Sequence, residues 1–382
     1  MEPMTIAHDN PSFLLPPLLA DRYSFLAEIT RTPSEVDWRQ LLIEEILSKT
    51  GFAGQAVLLN NVDAALWLAL QLSNLNDGQE VIYPINAPLS GAATIEKIGG
   101  KLILVDVESD TLSLSPEEVN RVVDDAIFES RAVPKAIVLQ HIAGKKASLP
   151  YLYNLAERYG MSLISIETEA TSSLMEEPIY PAHYRIMAIG EYAEGIAATG
   201  VLLVCPSDDR WRKAKSILRQ NGENLYHRQG YQLIGALPAT SMQLLRGYSE
   251  LLHRSEMESK RKLLFDTYAE RLKNIDGLRL FSPRSTDISF NYLRLLLFVD
   301  DSLLHFSKEE LLLYLHEHGI EAKPMEEVLH TATFFSSKVC YTTGIAEIWH
   351  QRALSLPMGS ALSIEEVERV CSVIYDMVAH YN

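Results

Sequence analysis

The sequence predicts an α/β protein with a mainly parallel sheet in a large domain, followed by a smaller α+β domain. Three observations lead there. Short apolar runs alternate with amphipathic helical segments through most of the chain, the pattern of successive βα units. After about Met242 that alternation gives way to a long charged helix, a strand and further helices. At 382 residues and 47% hydrophobic content, the chain can bury a full core and is long enough for two domains. We divide it into a large domain, 1–245, and a small one, 246–382.

In chain order, strands are expected at Ala56–Leu59, Glu80–Tyr83, Lys101–Val105, Lys135–Gln140, Ser162–Ile166, Arg185–Ile189 and Val201–Cys205. Amphipathic helical segments such as Ala64–Leu72 and Leu149–Tyr159 lie between them. The helix after Leu114 has Ser115 as N-cap, Pro116 at its first position and Glu118 to close a capping box. In the small domain we expect a helix over Met257–Leu272, a strand over Leu293–Val299, and helices opened by Ser307 and Ser363. Glu310 and Glu366, three residues on, complete two more capping boxes. There is no internal repeat, low-complexity tract or long linker.

A net charge of -16 and a pI near 5.2 argue against binding to nucleic acid or to an anionic membrane, both of which need a basic surface. Cys205, Cys340 and Cys371 are far apart and match no metal-ligand spacing, so we assign no metal and expect buried thiols in the reducing cytoplasm. The apolar stretch Phe13–Ala20 is short and broken by prolines, and acidic rather than basic residues precede it. It is expected to be neither a signal peptide nor a membrane span.

Several segments carry a resemblance. They are Gly78-Gln-Glu-Val-Ile-Tyr-Pro84, Leu104-Val-Asp-Val-Glu-Ser-Asp-Thr-Leu112, Lys135-Ala-Ile-Val-Leu-Gln-His-Ile-Ala-Gly144, His318-Gly-Ile-Glu-Ala-Lys-Pro324 with Leu329-His330, and Leu354-Ser-Leu-Pro-Met358. Their content and order resemble the DegT/StrS-type sugar aminotransferases, from about Ala56 to the C-terminus. The resemblance implies a fold-type-I architecture for pyridoxal phosphate (PLP), with a seven-stranded, mostly parallel sheet, a small C-terminal domain, and a homodimer with active sites at its interface. The region before Ala56 matches poorly.

Residue by residue, the resemblance also predicts losses. Val62 and Asp63 stand where the family has a Gly-Thr or Gly-Ser pair that binds the cofactor phosphate at a helix start. Asp63 reads as a helix cap. Its carboxylate would also oppose phosphate, by roughly 4 kcal/mol at about 4 Å and an effective dielectric of about 20. The aromatic residue that would stack on the pyridine ring is missing from Asn86–Leu89, where Pro88 stands. In Glu167-Thr168-Glu169, Thr168 falls on the aspartate that pairs with the pyridine nitrogen, although a one-residue shift brings in either glutamate. Tyr192, flanked by Glu191 and Glu194, takes the place of the Schiff-base lysine, and no lysine occurs from Ala147 to Arg212. A histidine substitute is absent as well, since none lies between His183 and His227. Gln232 replaces an asparagine donated by the neighbouring subunit, and Ile234 an arginine.

The expectation is that no cofactor is used and that the chain is a catalytically degenerate aminotransferase homologue. It would serve as a dimeric scaffold or as a partner or regulatory subunit in a sugar or secondary-metabolite pathway. The alternative is a PLP-independent enzyme or binding protein that reuses the pocket for a sugar-derived or other small ligand. Expected partners are a second copy or an active aminotransferase, with neither nucleic acid nor membrane. For residual proton transfer the candidates are His141, Glu167 and Glu169, at the C-terminal ends of neighbouring strands. His141 also reads as a hydrogen-bonded structural group, Glu326 and Glu327 as solvated loop charges, and Lys145 and Lys146 as lysines facing water, with contact to an anionic ligand as their alternative.

Overall fold

The seven apolar runs form strands close to their predicted bounds: β1 Gln55–Leu59, β2 Glu80–Pro84, β3 Lys101–Val105, β4 Ala136–Gln140, β5 Ser162–Ile166, β6 Tyr184–Ala188 and β7 Val201–Cys205. The computed structural model describes residues 43–44, 47–48, 55–145, 149–169, 182–188, 200–223, 239–240, 243, 247, 250, 253–282 and 290–381. Among these, the large sheet runs β1-β7-β6-β5-β4-β2-β3-β11, with β11 (Val339–Tyr341) added from the C-terminal part of the chain as an eighth strand.

Neighbours from β6 through β5, β4, β2 and β3 to β11 are parallel, whereas β7 is antiparallel to both β6 and β1. Two reversals restore the direction. The C-terminal ends of β1 to β6 therefore open at one edge, where a parallel sheet binds ligands. The central strands are buried along almost their whole length because helices cover both faces. Helix α1 (Val62–Leu72) and, from the C-terminal part of the chain, Phe281 and Trp349 pack on one face. Helices α3 (Pro116–Phe128) and α4 (Leu149–Tyr159) pack on the other.

Asp106, just past β3, fixes the eighth strand. Its carboxylate accepts from the Val107, Thr343, Ile345 and Ala346 N–H groups and from the Thr342 and Thr343 hydroxyls, at 2.7 to 3.1 Å. It thereby caps helix α9 (Ile345–Arg352), whose own N-cap Gly344 has no side chain to do so. Hydrogen bonds to Val107, Thr343 and Ala346 outweigh burial and hold the Asp106 carboxyl below its ordinary pKa.

The C-terminal part of the chain carries a four-stranded antiparallel sheet, β10-β12-β9-β8, made of Lys323–Pro324, Ala353–Leu356, Leu295–Val299 and Leu278–Leu280. Helices α6 (Arg254–Leu272), α8 (Lys308–Glu317) and α10 (Ile364–Tyr381) pack on it. Both expected capping boxes form there, at Ser307 with Glu310 and at Ser363 with Glu366. The third is only half made. Ser115 accepts from the Glu118 N–H, but the Glu118 carboxylate turns to Arg121 at 2.7 Å. No helix among the described residues is long and apolar enough to cross a membrane.

Candidate functional site

The strand ends at the open edge carry most of the residues singled out above. After β1 the chain enters α1, and its cap is Asn61 rather than Asp63. Asn61 has an extended backbone at φ -158°, and its Oδ1 accepts from the Ala64 N–H at 2.8 Å. Asp63 sits in the first turn and accepts from the Ser90 hydroxyl at 3.0 Å. Because Ser90 lies in the first turn of α2 (Leu89–Lys97), two helix N-termini meet at this carboxylate. Burial raises the Asp63 pKa, opposed by the Ser90 hydrogen bond and by Lys97. Val62 is half-buried against the core.

Pro88 is the N-cap residue of α2, and its carbonyl accepts from the Tyr83 hydroxyl at 2.8 Å. That contact turns Tyr83 into the core beneath α2. Only glycine fits above it, since a Cβ at Gly91 would lie 2.2 Å from the Tyr83 hydroxyl oxygen.

After β5, the two glutamates flanking Thr168 point to different partners. Glu167 binds Arg185 of β6 through two hydrogen bonds, Nε to Oε1 at 2.6 Å and Nη2 to Oε2 at 2.5 Å. It also accepts from the Ser165 hydroxyl at 2.8 Å, and Ser165 Oγ lies 3.0 Å from His141 Nε2. The structure thus joins His141 and Glu167 through Ser165. All four residues of this relay are buried, so it braces the ends of β4, β5 and β6.

Glu169 goes elsewhere. Its Oε2 accepts from the Ala143 N–H at 2.7 Å, and its Oε1 lies 3.2 Å from Nη1 of Arg294, just before β9. Burial raises its pKa, while Arg294 and the Ala143 N–H pull the other way. Glu167 and Glu169 are thus each engaged with an arginine, and Thr168 between them is buried.

Glu326 is no simple solvated charge, because it lies 3.0 Å from Arg294 Nη2. Lys145 is buried rather than facing water: its Nζ donates to the Asp110 carbonyl at 2.8 Å and lies 4.3 Å from the Phe281 ring centroid. Gly144, at φ +80°, allows this turn to close on the C-terminal part of the chain, where an added Cβ would stand 2.0 Å from Asn291 Oδ1. Arg294, Arg185 and Asn291 were missed in the sequence. A charged residue inside an apolar strand, as in Leu293-Arg294-Leu295, was the available signal. Tyr192, Gln232, Glu191, Glu194, Ile234 and Lys146 lie outside the described residues.

Residues 41–375 match the DegT/DnrJ/EryC1/StrS aminotransferase family. The chain belongs to that family. A relative from Bacillus subtilis (strain 168), named "Putative pyridoxal phosphate-dependent aminotransferase EpsN", is 25% identical over 337 residues, covering 87% of this chain and 86% of the relative. Among solved structures, the aminotransferase TlmJ from Streptoalloteichus hindustanus superimposes with a TM-score of 0.77 at 18% identity, covering 96% of this chain and 98% of that one. GDP-4-keto-6-deoxy-D-mannose-3-dehydratase from E. coli, with bound hydrated PLP, gives 0.75 at 14% identity, covering 94% and 98%. At such identities these structures establish the shared fold.

Family membership corrects the expectation that no cofactor is used. The family is one of aminotransferases, and the B. subtilis relative is named as PLP-dependent. That expectation leaned on single positions, two of which, Tyr192 and Gln232, lie outside the described residues. No lysine occurs from 147 to 212, and the glutamates on either side of Thr168 are engaged with Arg185 and Arg294.

Proposed function

We propose that this chain is a catalytically degenerate member of the sugar aminotransferase family. It keeps the family fold and ligand-binding edge without the covalent step of transamination. The observation that carries the reading is the lysine-free stretch from Ala147 to Arg212, because only a lysine amine forms the imine on which that chemistry depends. PLP enters this proposal as a ligand of the cleft that no side chain attaches covalently. In the cell the protein acts in the cytoplasm as a dimer, with itself or with an intact aminotransferase, as a scaffold or regulatory subunit. The pathway chemistry is that of sugars, in keeping with a structural neighbour described in the presence of its TDP-sugar product.

The experiment is to incubate the purified protein with PLP and an amino donor and to follow conversion of PLP to pyridoxamine phosphate. The expected result is none above the rate without protein. Turnover at enzyme-like rates contradicts the proposal. Light scattering at micromolar concentration tests the dimer, and a clean monomer would remove the scaffold reading.

A second reading, a binding protein that uses the cleft for a small ligand, is favoured by one feature. Arg294 brings a guanidinium, 12% exposed, to Glu169 just past the end of β5, at the edge where the parallel strands end.

A further inference from the structure

Helices α3 and α4 cover the face of the sheet away from α1. Between their outer sides lies a groove of about 790 Å³, within the size range of small-molecule sites. The helical period builds it. Each helix turns one apolar stripe to the sheet: Val119, Val122, Val123 and Ala126 in α3, and Leu149, Leu152 and Ala156 in α4. Residues beside those stripes line the groove, Asn120 and Asp124 on α3 and Tyr151, Asn154 and Arg158 on α4, at the three- and four-residue spacings of one helix face. Buried Leu155 gives the groove an apolar floor.

Its walls are held in place. Asn120 Nδ2 donates to the Tyr151 hydroxyl and ties the two helices together. That bond uses one N–H of the amide and one lone pair of the hydroxyl, so the tyrosine O–H and Asn120 Oδ1 are left to meet a ligand. Glu157, also on the wall, is fixed by His183. The imidazole Nδ1 accepts from the Leu163 N–H at 3.0 Å, which leaves Nε2–H to donate to Glu157 Oε1 at 2.8 Å. The Tyr151 ring is 43% exposed, and the Arg158 guanidinium carbon stands 5.9 Å from the Tyr159 ring centroid.

We propose that this groove binds a neutral polyhydroxyl ligand, a pyranose or a short chain of them, at a site separate from the strand ends. The inference stands apart from the reading of that edge as degenerate. A hydroxyl both donates and accepts, and the groove offers amides, carboxylates, a guanidinium and a phenol within one helix pair. Tyrosine rings and Leu155 meet the C–H faces of such a ring. Charge selects against the alternatives: Asp124 and Glu157 oppose a phosphate ester that Arg158 alone would favour, while Arg158 opposes a polyamine.

The test titrates the full chain without PLP with maltose, glucose 1-phosphate and spermidine, followed by ligand-observed NMR. Maltose is expected to bind with a millimolar Kd, and both charged probes more weakly. Tyr151→Ala, at an exposed ring, is expected to melt as the unaltered protein does and to lose about tenfold in maltose affinity. Asp124→Asn keeps size and a hydrogen-bonding oxygen. It is expected to hold maltose within about threefold while glucose 1-phosphate gains about threefold at low salt. No maltose binding, or binding that Tyr151→Ala leaves unchanged, as a site at the strand ends would give, overturns the proposal. Tighter binding of either charged probe than of maltose also overturns it, as does an Asp124→Asn variant that gains nothing for the phosphate ester.

Discussion

Glu167 and Arg185 form a two-bond ion pair wholly inside the protein, with both side chains at 2% exposure or less. The pair ties the end of β5 to β6 and, through Ser165, holds His141 at the end of β4. A buried pair of this kind costs most when one partner alone is removed, because the other is left charged in a low-dielectric interior.

Glu167→Gln is therefore expected to lower stability by about 3 to 5 kcal/mol. Replacing both residues by leucine is expected to cost less than the single change. Urea unfolding at neutral pH reads both, and a single-variant cost below about 1 kcal/mol would show that the pair is not the brace described here.

Asp106 gives the fold a pH-dependent joint. Its folded pKa lies below the unfolded value near 3.8 because the backbone and threonine donors hold the carboxylate. The linkage sign follows: the contribution is complete above the unfolded pKa and fades as pH falls through the folded one. Asp106→Asn is expected to cost on the order of 2 kcal/mol near neutral pH, with the gap to the unaltered protein closing in acid. Unfolding free energies at stepped pH check it, and a gap that widens in acid would reverse the assignment.

Asp63 sits where the N-termini of α1 and α2 converge. Since Asn61 holds the cap, Asp63→Thr is expected to cost only about 0.5 kcal/mol, the share of an acidic residue in the first turn. Removing the carboxylate is expected to raise affinity for inorganic phosphate about tenfold at low salt, with the gain shrinking as salt screens it. Calorimetry at two salt concentrations decides it. Unchanged affinity would mean that the carboxylate serves only Ser90.

Gly144 marks the contact of the β4 turn with the C-terminal part of the chain. Gly144→Ala places a side chain at positive φ against Asn291 and is expected to destabilise by about 2 kcal/mol or more. A thermal melt within about one degree of the unaltered protein would show that Asn291 gives way freely.

Much of this architecture was legible locally. Apolar runs marked the first seven strands, and the Ser-x-x-Glu patterns marked two capping boxes that form as read. What escaped was decided at a distance. β11 is only three residues long, too short to show a strand pattern although Val339 and Tyr341 suit one, and it is placed by pairing with β3 and by the hydrogen bonds of Asp106, over two hundred residues earlier. Asn61 and Asp63 are both good caps two positions apart, and only the Ala64 hydrogen bond chooses between them. Glu118 was drawn off by Arg121. The Glu169–Arg294–Glu326 cluster joins three segments with no sequence pattern in common, so a loop glutamate read as solvated is an ion-pair partner.

The proposed degeneracy turns on whether any lysine of this family member bonds covalently to PLP. Borohydride reduction after incubation with excess PLP, followed by intact-mass and peptide analysis, reads that bond. The expected result is no stoichiometric pyridoxyl-lysine. An adduct of one per chain, at buried Lys145 or at any other lysine, would overturn the proposal and locate the nucleophile.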